Sequence, residues 1–143
     1  MIRLIDAPEF QRLRRIKQLG LGLYTYQGAE HSRFTHSLGA LHLMTRILDR
    51  LSESYPIATE DRLAVRAAAL LHDVGHAPFS HAMEKTLGIH HEDLTIAAIT
   101  SEETVVNQIL SSHSAELPQR VASVVGGDFK PAALAQLVSS QLD

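Results

Sequence analysis

One helix and the residues that follow it constrain this chain most. Leu63, Ala67, Leu70 and Leu71 recur at helical spacing after a start marked by Thr59, an expected N-cap, with Glu60 and Asp61 favourably placed in the first turn. The apolar stripe then runs directly into His72-Asp73-Val74-Gly75-His76-Ala77-Pro78-Phe79-Ser80-His81. A buried helix ordinarily ends in solvated polar residues, whereas this one ends in imidazole and carboxylate, the side chains that bind borderline divalent metals. His72 and Asp73 are adjacent and can converge on one ion over the helix shoulder. Gly75 lets the backbone leave the helix and Pro78 blocks its continuation, which carries His76 and His81 around a bend toward the same pocket. Taken alone, these residues also fit a plain helix end with exposed histidines.

The 143 residues are 45% hydrophobic, enough for one domain with a real core. There is no cysteine, so disulfides and zinc-finger chemistry are excluded and any metal is held by nitrogen and oxygen. No stretch approaches the ~20 apolar residues of a membrane span, and the N-terminus lacks the apolar core of a signal peptide, so the chain reads as cytoplasmic. Residues 1–50 hold eight Lys or Arg against four acids, and residues 51–143 hold five against twelve. The basic first third suits a phosphate-bearing ligand, although a solvated helix face accounts for it equally well.

Residues 6–19 read as a first helix, with Asp6 and Glu9 as a capping-box start, Pro8 in the first turn, and Phe10, Leu13 and Ile16 as the inner face. Arg12, Arg14, Arg15 and Lys17 fill the remaining surface. Gly20, Gly22 and Gly28 with Tyr24 and Tyr26 make an irregular loop whose backbone could approach a ligand closely. A long helix is predicted from Ser32 to Ser52 on a stripe of Phe34, Leu38, Leu41, Ile47, Leu48 and Leu51. Further helices are predicted at 80–87, at 91–112 with a break and fresh start near Ser101, from Pro118 to Gly126, and from Pro131 onward. Runs of alternating β-branched residues are missing, so the fold class is all-α.

His36 lies in the first turns of the second long helix, on a different element from His72 and Asp73. Helical bundles build metal sites from facing side chains in this way, and three protein ligands leave positions open for chemistry. A lone His36 would be an ordinary histidine; its partners change that. The string His31-Ser32-Arg33-Phe34-Thr35-His36-Ser37-Leu38-Gly39, followed by Leu71 to His81, resembles the HD superfamily of metal-dependent phosphohydrolases. Within it, the chain is most similar to the deoxynucleoside triphosphate triphosphohydrolases, a likeness that the opening Ile5 to Gly20 extends to nearly the whole chain.

The resemblance implies an HD-domain helical bundle in which His36, His72 and Asp73 bind a divalent ion: iron, manganese, zinc, cobalt or magnesium. It implies His76 as active-site histidine with Glu84 as its carboxylate partner, His91 as another pocket histidine, Arg33 and His81 as phosphate contacts, and Gln18 and Leu19 as contacts to deoxyribose. It further implies hydrolysis of a deoxynucleoside triphosphate to nucleoside and triphosphate, and a homo-oligomer. The family completes its metal shell with an aspartate from a motif that would begin at Leu142-Asp143, so residues 1–143 read as the N-terminal part of a catalytic core that extends past the C-terminus and can extend past the N-terminus, and that is weak or inactive as these residues alone. Two rivals stay open. One is an HD hydrolase of nucleoside monophosphates or cyclic nucleotides; the other is a non-catalytic module binding nucleotides or nucleic acid.

Overall fold

The computed structural model describes residues 1–79, 84 and 88–139. Helices dominate it, and the β-pairing among the described residues is a single bridge between Lys17 and Ser32. Two short helices, α1 (Ile2–Ile5) and α2 (Pro8–Gln11), lead through 3₁₀ turns at Arg12–Arg15 and Gly20–Tyr24 into α3 (Arg33–Ser52) and α4 (Thr59–Leu71). Then come α5 (His91–Thr100), α6 (Val105–Ser111), α7 (Leu117–Val125) and α8 (Ala132–Ser139). The predicted helix at 80–87, His81 and Asp143 lie outside the described residues, apart from Glu84.

The central element is α4. Its residues Ala64, Val65 and Ala67 to Leu71 are all buried, and it packs against α3, α7 and α8. The alanines keep the helix thin on those sides, so three neighbours approach closely, while Val65, Leu70 and Leu71 fill the space between them. Ser32, where the predicted helix begins, caps α3, its side chain accepting from the Thr35 N–H at 3.3 Å. Phe34 and Leu48 from the predicted stripe are buried, joined by Met44. Phe10 of α2 meets Phe34 with ring centroids 5.2 Å apart, and the Arg14 guanidinium lies over the Phe34 ring, 3.7 Å from its centroid.

The first helix differs from its prediction. In place of a continuous run over 6–19, α2 gives way to a 3₁₀ turn and Ile16 is extended (φ −109°, ψ 115°). Its carbonyl accepts from the Arg33 N–H at 2.8 Å, so tertiary pairing with the start of α3 overrides local helical preference. Nor does a capping box form: Ala7 is the N-cap of α2, and Glu9 instead accepts from the Val105 N–H at 2.7 Å, capping α6 across the molecule. Ala58 rather than Thr59 caps α4, and Thr104 rather than Ser101 caps α6, accepting from the Asn107 N–H at 3.1 Å.

Candidate active site

α4 ends at Leu71, and residues 72–75 turn away from it. The His72 N–H still donates to Ala68, so the helix ladder fixes the backbone that carries the first imidazole. Its Nδ1 lies 2.9 Å from the Ala69 carbonyl. A carbonyl only accepts, so Nδ1 carries the proton and the Nε2 lone pair points outward, as in ligating histidines. That Nε2 lies 3.2 Å from Nε2 of His36 on α3. Asp73 is 3% exposed; its Oδ1 is 3.5 Å from His72 Nε2 and its Oδ2 is 3.9 Å from His36 Nε2. Ligand atoms bound about 2.0–2.2 Å from one ion sit roughly 3–3.5 Å apart, so these two nitrogens and one carboxylate fit a divalent cation.

Burial works to raise the Asp73 carboxyl, but the hydrogen bonds from His76 and Arg33 and the Arg33 charge outweigh it and hold the group well below the usual carboxylate range. Arg33 is itself 3% exposed and donates from Nη1 to Asp73 Oδ2 at 2.7 Å. The side chain assigned by resemblance to phosphate thus lies against a metal-ligand candidate.

Beside this set runs a second one. His76 is buried with Nε2 3.3 Å from Asp73 Oδ1 and Nδ1 3.3 Å from Glu84 Oε1. The same Glu84 oxygen is 2.8 Å from His91 Nδ1. The His76 and His91 rings stack at 3.7 Å, 13° from parallel. Burial, reinforced by the Arg33 charge, pushes the His76 imidazolium below the ordinary histidine range despite the pull of Asp73. The result is a continuous polar chain Asp73–His76–Glu84–His91, able to hold and pass a proton next to the candidate ion site.

Gln18 and Leu19 follow the bridge between Lys17 and Ser32, at the entrance to α3. Among the described residues Gln18 Oε1 is buried without a hydrogen-bonding partner, while Leu19 is exposed. Gly20 (φ 53°) packs closely on the backbone of Phe79, where a Cβ would meet the Phe79 carbonyl at 3.5 Å. Between these segments is a cleft of about 140 Å³ walled by Arg15, Lys17, Leu21, Tyr24 and Phe79. His81 lies outside the described residues.

Two contributors escaped the sequence reading. Arg12, taken as surface, donates to the carbonyls of His76, at 2.8 Å, and of Val74. Thr95 is fully buried, donating to the His72 carbonyl and accepting from the Gly75 N–H, both at 2.9 Å. Thr95 is four residues after His91 and so shares its helix face, a spacing that marks it once His91 is suspected. Gly75 serves close approach, since a Cβ there would lie 2.1 Å from the His91 carbonyl oxygen.

These candidate ligands, on the ends of facing helices, give a helical domain a site that could hold a metal, and comparison with known proteins gives it a family: residues 33–136 match the HD domain model, and the chain belongs to that family. It is 48% identical over 141 residues to the uncharacterized protein YwfO of Bacillus subtilis, covering 98% of this chain and 32% of that protein. It is 52% identical over 87 residues to the deoxynucleoside triphosphate triphosphohydrolase SAMHD1 of Bos taurus, covering 59% of this chain and 15% of that protein. A phosphohydrolase crystal structure from Bacteroides thetaiotaomicron superposes with a TM-score of 0.82 at 36% identity, over 99% of this chain and 34% of that one. The chain therefore spans about a third or less of the length of these relatives.

Proposed function

We propose that this chain carries the metal-binding core of a phosphohydrolase acting on nucleotides, with deoxynucleoside triphosphates as substrates and deoxynucleoside and inorganic triphosphate as products. The observation that carries the reading is the joining of His36, His72 and Asp73 to His76–Glu84–His91 through one carboxylate, Asp73. The substrate class is supported by the SAMHD1 relatives and by the basic, aromatic cleft beside Gln18 and Leu19. A divalent ion held by His36, His72 and Asp73 would supply Lewis acidity toward a phosphoryl oxygen and lower the pKa of nearby water. The chain's own residues do the rest. Arg33 fixes the orientation of Asp73, and a phosphate contact from its guanidinium is the further role the resemblance implies. His76, with one nitrogen toward Asp73 and the other toward Glu84, takes and returns the proton. Glu84 keeps His76 and His91 in register. Gln18 and Leu19 are assigned to the sugar and His81 to phosphate.

The test is a product assay on the full-length protein that carries this chain, with a deoxynucleoside triphosphate and Mn²⁺. Intact inorganic triphosphate is expected; orthophosphate or pyrophosphate as the released product would replace this reading with another phosphoester hydrolysis. Steeply salt-dependent nucleic-acid binding without turnover would replace it with a binding module.

A further inference from the structure

The turn that carries His72 and Asp73 touches the first turn of α5 directly. Thr95 Oγ1 both donates to the His72 carbonyl and accepts from the Gly75 N–H, so the hydroxyl engages both sides of the turn. A buried helical threonine commonly returns its proton to a carbonyl one turn back on its own helix; this one spends it on a neighbouring element. Gly75 lets the two backbones close, since a Cβ there would lie 2.5 Å from the Thr95 nitrogen as well as against His91. His91 sits one helical turn before Thr95, stacked on His76 at 3.7 Å. His76 in turn follows Gly75 immediately, so Thr95 is bonded to the segment bearing one ring and belongs to the helix bearing the other. His36 comes from α3, and the His72 ring is held on α4 through the Ala69 carbonyl, so Thr95 touches His72 at its backbone carbonyl and not at its ring.

We propose that Thr95 is a positioning residue: its hydroxyl sets the register between the metal-ligand turn and α5, and thereby the stacking of His76 on His91 and the approach of both rings to Glu84. The catalytic part of this inference rests on the phosphohydrolase reading above, whereas its geometric part does not. Thr95→Val keeps the shape but offers neither donor nor acceptor; Thr95→Ser keeps both.

The experiment follows the imidazole resonances of the metal-free protein by NMR alongside steady-state kinetics with Mn²⁺ and a deoxynucleoside triphosphate. A buried core substitution, Leu110→Ala, serves as a control for general destabilisation. In Thr95→Val the His76 and His91 ring protons should lose their mutual ring-current shift while those of His36 and His72 stay in place. The value of kcat should fall about tenfold or more with KM within about twofold, and Thr95→Ser should restore both readouts. Unmoved His76 and His91 resonances with only a lowered Tm, matching Leu110→Ala, would overturn the proposal, as would all four histidines shifting together. A wild-type protein that hydrolyses no triphosphate would remove the reaction while the resonance shifts still decide the role of Thr95.

Discussion

Asp73 is the residue on which the site turns. It lies among His36, His72, His76 and Arg33, so one carboxylate touches the candidate ion ligands and the buried His76 at once. Arg33 is the cost of that arrangement: a carboxylate this deeply buried needs a fixed cation when no metal is bound. Removing one partner of a buried pair leaves a charge without compensation, typically worth about 3–5 kcal/mol. Arg33→Ala should therefore lose stability of that order in urea unfolding of the metal-free protein, and added Mn²⁺ should return part of it. An Arg33→Ala variant as stable as wild type would show that the pair carries no weight. The candidate ion ligands were legible because their types and order are sequence properties. The burial of Arg33 was not, since an arginine at the start of a helix is usually solvated and only the position of Asp73 draws it inward.

At the scale of elements, long apolar stripes read well and short polar signals read poorly. α3 and α4 lie where helical periodicity puts them, because stripes such as Phe34, Leu48, Leu70 and Leu71 dictate which face is buried whatever else packs there. Asp6 and Glu9 have the spacing of a local cap, yet Glu9 caps α6, a contact 96 residues away that no local pattern encodes. An N-terminal cap is worth about 1 kcal/mol, and Glu9→Ala should lose about that much. Hydrogen exchange should localise the loss to the first turn of α6, with the Val105 amide accelerated. Unchanged exchange at Val105 would mean that the contact is not maintained in solution. The same limit applies to Arg12 and Thr95, which act on backbone atoms of a turn whose path is set by tertiary packing.

For the whole molecule, two buried groups tie stability to pH in the metal-free state. The folded protein holds His76 below the ordinary histidine range, so from about pH 6.5 downward the unfolded chain binds a proton that the folded one refuses. It holds Asp73 below the carboxylate range, so the same sign applies again below about pH 4. Stability is fully present above each unfolded value and is lost as pH falls toward the folded one. Urea midpoints should decline from pH 8 to pH 5, and His76→Gln should flatten that span. A midpoint that rises on acidification would contradict this placement of His76. Among the described residues no helix is long and apolar enough to cross a membrane, and the core is one continuous cluster running from Leu4 to Ala135.

The measurement closest to the central claim is a calorimetric titration of chelator-treated protein with Mn²⁺, comparing wild type with His72→Ala and Asp73→Ala. The expected result is one ion per chain in the wild type, affinity lower by about tenfold or more in each variant, and a helical circular dichroism signal left largely intact, because Leu70 and Leu71 supply the packing there. Equal Mn²⁺ affinity in all three proteins would place the ion elsewhere and contradict the metal site at His36, His72 and Asp73.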